Sequence, residues 1–198
     1  MAAWAPENAL GASGYPGDVS ALNTSIAIVW VVFWVYWLVA AAGAKGGSRR
    51  RRTRPPGLLI AVVAYVLLRV FKGDTLAVHS PVVQALGAIL FVCGLGLAVW
   101  ARVYLGRNWG MPMTRKDEPE LVTSGPYRFV RHPIYSGILL AVLGTSLASE
   151  IYWLIAAAIM GAYFVYSARV EEKLMTDSFP TNYPSYRAKT KMLIPFVL

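Results

Sequence analysis

Residues 131–137 read RHPIYSG and residues 169–172 read RVEE. The first stretch gathers a guanidinium, an imidazole and a phenol around a proline that opens an apolar run. The second puts a guanidinium and two carboxylates at the far end of the apolar run that follows. Pro133 suits the first position of a helix, where its missing N–H has no partner to lose and its φ is already helical, so His132 stands beside the helix start. Such a start presents unpaired N–H groups and the positive end of the helix dipole, a setting for a carboxylate or phosphate. Arg131 and His132 would border that site, with Tyr135 and Ser136 in the first turn and Gly137 leaving room for a ligand. A second reading stands beside it: Arg131 and His132 as interfacial anchors, with Tyr127 and Tyr135 in an aromatic belt at the membrane surface.

In RVEE, the three-residue spacing puts Arg169 and Glu172 on one helical face while Glu171 points elsewhere. That pair is either a helix-end salt bridge or, with Glu171, a carboxylate site for an ammonium or for ribose hydroxyls. Set across from an anion-binding helix start, the carboxylates suit a zwitterionic, amino-acid-like ligand. Downstream, NYPSYR supplies Tyr183, Tyr186 and Arg187 on a short helix expected to fold back over the site. Tyrosines at i and i+3 could line a nucleotide pocket or simply pack at the interface.

The elements that must position these residues are apolar. Of the 198 residues 57% are hydrophobic and 15% charged, a membrane-protein composition. The formal charge of +9 sits in short segments between apolar runs, as in cytoplasmic loops beside anionic lipid, which argues against nucleic acid as a partner. A single cysteine, Cys93, excludes an intrachain disulfide, and two histidines, His79 and His132, make a zinc site improbable. No GxGxxG motif follows a strand and no Walker lysine occurs, so neither a soluble nucleotide fold nor a kinase is supported.

Apolar runs at 22–43, 57–71, 80–106, 134–149 and 150–170 predict an all-α, multi-pass membrane protein with about five spans. The last two form a tight helical hairpin, and a short cytosolic helix follows. Residues 1–21 read as a flexible outside tail, without the basic start or apolar core of a signal peptide. The N-terminal spans occupy 22–99, and residues 100–198 form the region that carries the chemistry. Basic residues concentrate in 45–56, in 107–133 and after 170, which puts the N-terminus outside and the C-terminus and site in the cytosol. The run Arg49 to Arg52 reads as a topology-fixing loop on lipid phosphates. Glycines at 87, 94, 96, 137 and 144 suit close packing of membrane helices, with a gap for a ligand as the alternative.

The elements LVTSGPYRFVRHPIYSG, RVEEKL and YPSYRAKTKMLIPF, in that order, resemble the isoprenylcysteine carboxyl methyltransferase family, within the membrane methyltransferases that include the phospholipid N-methyltransferases. The resemblance covers residues 100 to 198. It implies an all-helical enzyme binding S-adenosylmethionine on the cytosolic side, between the last hairpin and the C-terminal tail. By position it implies His132, Tyr135 and Gly137 around the methionine part of the cofactor, Glu172 with Glu171 at its amino end, and Tyr183, Tyr186 and Arg187 closing the pocket. Arg169 and Glu172 would border the reacting centre, and a lipophilic acceptor would enter sideways from the membrane lipids. A carboxylate acceptor would need only a steering cation such as Arg169; an amine acceptor would need Glu172 or Glu171 as a base. The other readings are a phospholipid or other amine methyltransferase, a non-catalytic membrane scaffold and, more remotely, a reductase. Oligomeric state is not readable from the sequence.

Overall fold

The computed structural model describes residues 16–41, 77–109 and 120–195. Among them are five α-helices and no β-strand: α1 (Pro16–Ala41), α2 (Pro81–Leu105), α3 (Pro133–Ala148), α4 (Trp153–Ser178) and α5 (Asn182–Lys189), with short 3₁₀ turns at Gly106–Asn108 and Gly125–Arg128. The expected span at 57–71 and the basic run Arg49 to Arg52 lie outside the described residues, and with them the count of five spans.

Three of these helices, α1, α2 and α4, are long and apolar enough to cross a membrane. α3 has 16 residues, or about 24 Å at 1.5 Å per residue, shorter than a hydrocarbon core. α1 starts six residues before Leu22, so the end of the expected tail is helical instead. Pro16 is its first residue, where a proline costs no hydrogen bond. α2 likewise begins at Pro81 after an extended Ser80, and ends where Gly106 takes φ 54°, its N–H reaching back to the carbonyls of Arg102 and Val103. α4 runs eight residues beyond the apolar stretch, because EEKLM (171–175) continues with good helix formers, and carries Glu171 and Glu172 in its interior.

The tightest contact is between α2 and α3. A methyl group placed on Gly94 would lie 2.4 Å from the Ala141 nitrogen, and one on Gly137 2.6 Å from the Ala98 nitrogen. Gly87 and Gly144 meet in the same way one layer further along, whereas Gly96 faces open space. Close packing is therefore what four of the glycines do. The space expected beside Gly137 for a ligand is filled by the backbone of α2, which corrects that reading.

Around this seam lie Phe91, Leu95, Ile138, Phe164 and Leu193, with Phe33 and Ile26 of α1. The Trp30 indole donates to Thr145 Oγ1 at 3.1 Å, joining α1 to α3. Val31, Val32, Leu38 and Val39 on α1, and Val82, Ile89, Val92 and Val103 on α2, are exposed, as expected of helices whose outer face meets lipid. The four residues between α3 and α4 also tie down the start of α2, since Val78 N–H donates to Ser149 O at 2.9 Å.

Candidate functional site

The start of α3 is held by backbone bonds from the other end of the chain. Arg131 and His132 N–H donate to Lys191 O (2.8 Å) and Met192 O (3.0 Å), a single parallel bridge between Val130 and Lys191. Ser136 Oγ donates to Leu193 O at 2.6 Å. The two N–H groups just before the helix are thus paired with the C-terminal segment, and the anion site expected there is partly closed by the chain itself. No side-chain pattern announces this strap, because backbone atoms and one hydroxyl make it.

The carboxylates of α4 meet this corner. Glu172 is buried, and its Oε1 accepts from Arg131 Nε at 2.6 Å. Its Oε2 faces Arg187 Nε at 3.4 Å. Glu171 Oε1 accepts from the Tyr135 hydroxyl at 2.6 Å. His132 lies between the two acids, Nδ1 3.5 Å from Glu171 Oε2 and Nε2 3.6 Å from Glu172 Oε1. Its Nε2 is buried without a hydrogen bond. Burial alone would push the imidazole pKa down; the neighbouring carboxylates of Glu171 and Glu172 outweigh it and hold the pKa above the usual histidine value. The imidazole stacks on Tyr135 (5.5 Å, 5°), and Tyr135 on Phe164 (4.4 Å, 7°), so an aromatic column fixes the ring's plane.

Arg131 is the joint of the cluster. Besides Glu172, its guanidinium donates to Arg187 O (3.3 Å) and to Thr190 O, so one side chain binds α4, α5 and the strap to the start of α3. The choice between lipid anchor and ligand contact resolves into a third role, an internal brace.

The expected Arg169–Glu172 partnership is not formed among the described residues. The buried stripe on this part of α4 runs Phe164, Ala168, Glu172, with Ser167 beside it; Arg169 lies off that stripe and is exposed. Arg131 takes the place on Glu172 that the spacing had given to Arg169.

α5 covers the corner as expected. Tyr183 is buried with its ring 6.0 Å from that of Tyr186, and the Tyr186 hydroxyl donates to Tyr127 O at 2.6 Å. Burial pushes the Tyr186 phenol up to about 12, against the opposing Arg131 charge. Burial raises the Tyr183 phenol as well, so both hydroxyls are protonated near pH 7.

A second buried guanidinium lies on α2. Arg102 donates to Gly106 O (2.8 Å) and Ala40 O (2.6 Å), with its carbon 4.6 Å above the Trp109 ring. It clamps the C-terminal ends of α1 and α2, where helix dipoles are negative. In the sequence it is a lone charge inside the apolar run 80–106.

Among known proteins, a family model described as phospholipid methyltransferase matches residues 82–182, which takes in α2, α3, α4 and the whole corner except α5 beyond its first residue and the strap. A methanethiol S-methyltransferase from a Pseudomonas species is 29% identical over 146 residues, 69% of this chain and 56% of that protein. Protein-S-isoprenylcysteine O-methyltransferase B of Arabidopsis thaliana is 28% identical over 144 residues, 71% of this chain and 72% of that protein. The solved structure of the eukaryotic intramembrane Ras methyltransferase ICMT, an isoprenylcysteine carboxyl methyltransferase, shares the fold, with a TM-score of 0.57 at 21% identity over 74% of this chain and 55% of that one. The chain thus spans little more than half the length of the first of these relatives and of the solved structure.

Proposed function

The chain belongs to the phospholipid methyltransferase family, and on that premise we propose that it is an integral-membrane methyltransferase that draws its methyl group from S-adenosylmethionine and passes it to the carboxylate of a lipophilic acceptor. The observation that carries this reading is the meeting of Glu171 and Glu172 with Arg131, His132 and Arg187 under the C-terminal strap. An amino-acid moiety needs both signs of charge, and the donor set supplies both within one corner.

The residues fit the cofactor on that ground, and His132 Nε2, 3.6 Å from Glu172 Oε1, keeps its hydrogen-bonding capacity unspent. Glu172, with Glu171 beside it, would hold the ammonium, Arg187 would meet the carboxylate, and His132 and Tyr135 would border the methionine chain. Tyr183 and Tyr186 would line the nucleoside. Bound there, the cofactor supplies a methyl group already activated on a sulfonium. What the chain must do is orient the partners and exclude water, for which the strap and α5 over the corner are suited. Arg169, exposed one turn before Glu172 on α4, would steer an acceptor carboxylate arriving from the lipid side. The basic segments argue that this corner lies in the cytosol and the N-terminus outside.

A second reading keeps an amine or thiol acceptor. The family's description and the methanethiol-methylating relative favour it, and Glu171, held by Tyr135 and His132, would be the proton acceptor it requires. Membranes incubated with methyl-labelled S-adenosylmethionine separate the two: label released by mild base marks a methyl ester, and label that survives marks N- or S-methylation. No labelled product in the lipid phase, the aqueous phase or the headspace would overturn both.

A further inference from the structure

We propose that Arg187 is a stand-in cation: its guanidinium occupies the outer oxygen of Glu172 until a ligand ammonium replaces it, and it then turns to the ligand's carboxylate. The inference rests on the methyltransferase reading and deepens it by assigning how the corner selects a zwitterion.

The two oxygens of Glu172 are held very differently. Oε1 takes a 2.6 Å bond from Arg131, whose side chain is 8% exposed; Oε2 takes a 3.4 Å contact from Arg187, whose side chain is 59% exposed. The inner pair is desolvated and braced by two further carbonyl contacts of Arg131. The outer one is long and washed by solvent, the kind of pair that contributes at most about fivefold to any equilibrium.

Charge points the same way. Among the described residues, Arg131 and a protonated His132 face Glu171 and Glu172, so Arg187 adds a third cation to the two beside these carboxylates. An incoming ammonium can take its place without changing the charge beside Glu172. Geometry permits the exchange too, because Arg131 holds the carbonyls of Arg187 and Thr190 while the Tyr186 hydroxyl ties α5 to Tyr127 O. The guanidinium is free to swing while its backbone stays. Released a few ångströms from Glu172, it is placed to pair with the carboxylate attached to the same carbon as the ammonium.

The test is calorimetric titration of the full chain in detergent, with Arg187→Gln and Arg187→Lys beside the wild type. Three probes are used: S-adenosylhomocysteine, its decarboxylated analogue, which keeps the amine, and its deaminated analogue, which keeps the carboxylate. For Arg187→Gln we expect the decarboxylated analogue to bind about two- to fivefold more tightly than to the wild type, because its competitor is gone, and the deaminated analogue to bind weaker by a similar factor. Arg187→Lys restores both changes towards wild type. Unchanged affinities, or both analogues moving in the same direction, overturn the exchange while leaving the methyltransferase reading intact. Failure of S-adenosylhomocysteine to bind the wild-type protein overturns that reading, and the exchange with it.

Discussion

The seam between α2 and α3 and the corner between α3, α4 and the strap begin within one helical turn of each other, yet they are built on opposite principles. The seam holds because side chains are missing: Gly94 and Gly137 bring two backbones together, and a methyl group on either would overlap main-chain atoms at 2.4–2.6 Å. The corner holds because charged side chains are present, with Glu172 buried against Arg131 and His132. In a membrane, where apolar burial between helices has little driving force, the seam depends on close contact and the corner on charge pairing. The seam should therefore fail when atoms are added, and the corner when atoms or charges are removed.

The largest effect is expected at the seam. Gly94→Val should destabilise the detergent-solubilised protein by about 3 kcal/mol or more, because the obstacles are backbone atoms that cannot rotate away. Thermal unfolding and yield of monodisperse protein measure it. Wild-type behaviour from Gly94→Val would mean that the two helices are not in backbone contact. At the corner, Glu172→Gln keeps the shape and removes the charge. It should cost about 2 kcal/mol, a hydrogen bond between charged partners, and abolish methyl transfer while the protein remains folded. If that variant turned over normally, Glu172 would have no place in the reaction.

A smaller effect is expected from pH. The folded-state pKa of His132 is raised, so its stabilisation is fully present below the unfolded value, near 6.5, and is lost as pH climbs through the folded value. Thermal stability should fall over that interval, and His132→Asn should flatten the fall. A profile with the same slope in both proteins would remove the imidazole from the cluster's charge balance. The least effect is expected at Gly96, which faces open space inside α2: Gly96→Ala should stabilise by about 1 kcal/mol at most, the helix-propensity gain, and a large loss would show that this face of α2 is covered.

The same contrast explains what the sequence disclosed. Pro133 marked the start of α3, since proline has few helical positions open to it, and the glycine spacing marked the seam. The carboxylates at 171 and 172 were legible as partners of the RHP stretch because two segments flanking one helical pair must come together. The particular pairing was not legible. Spacing along α4 favoured Arg169 for Glu172, but local spacing describes only an isolated helix, and Arg131 reaches the buried oxygen from another segment. The strap escaped for a different reason: Lys191, Met192 and Leu193 act there through their carbonyls, which every residue possesses. Gly137 was assigned to the site by its neighbours in sequence, whereas its missing side chain serves the seam.

The central claim is that the Glu171 and Glu172 corner is built to hold a zwitterionic nucleoside cofactor. Titration of S-adenosylhomocysteine into the purified wild-type chain and into Glu172→Gln tests it most directly. Saturable binding to the wild type, weakened at least about tenfold in the variant, is the predicted result. No binding to the wild type at millimolar ligand, or equal binding to both proteins, would contradict it.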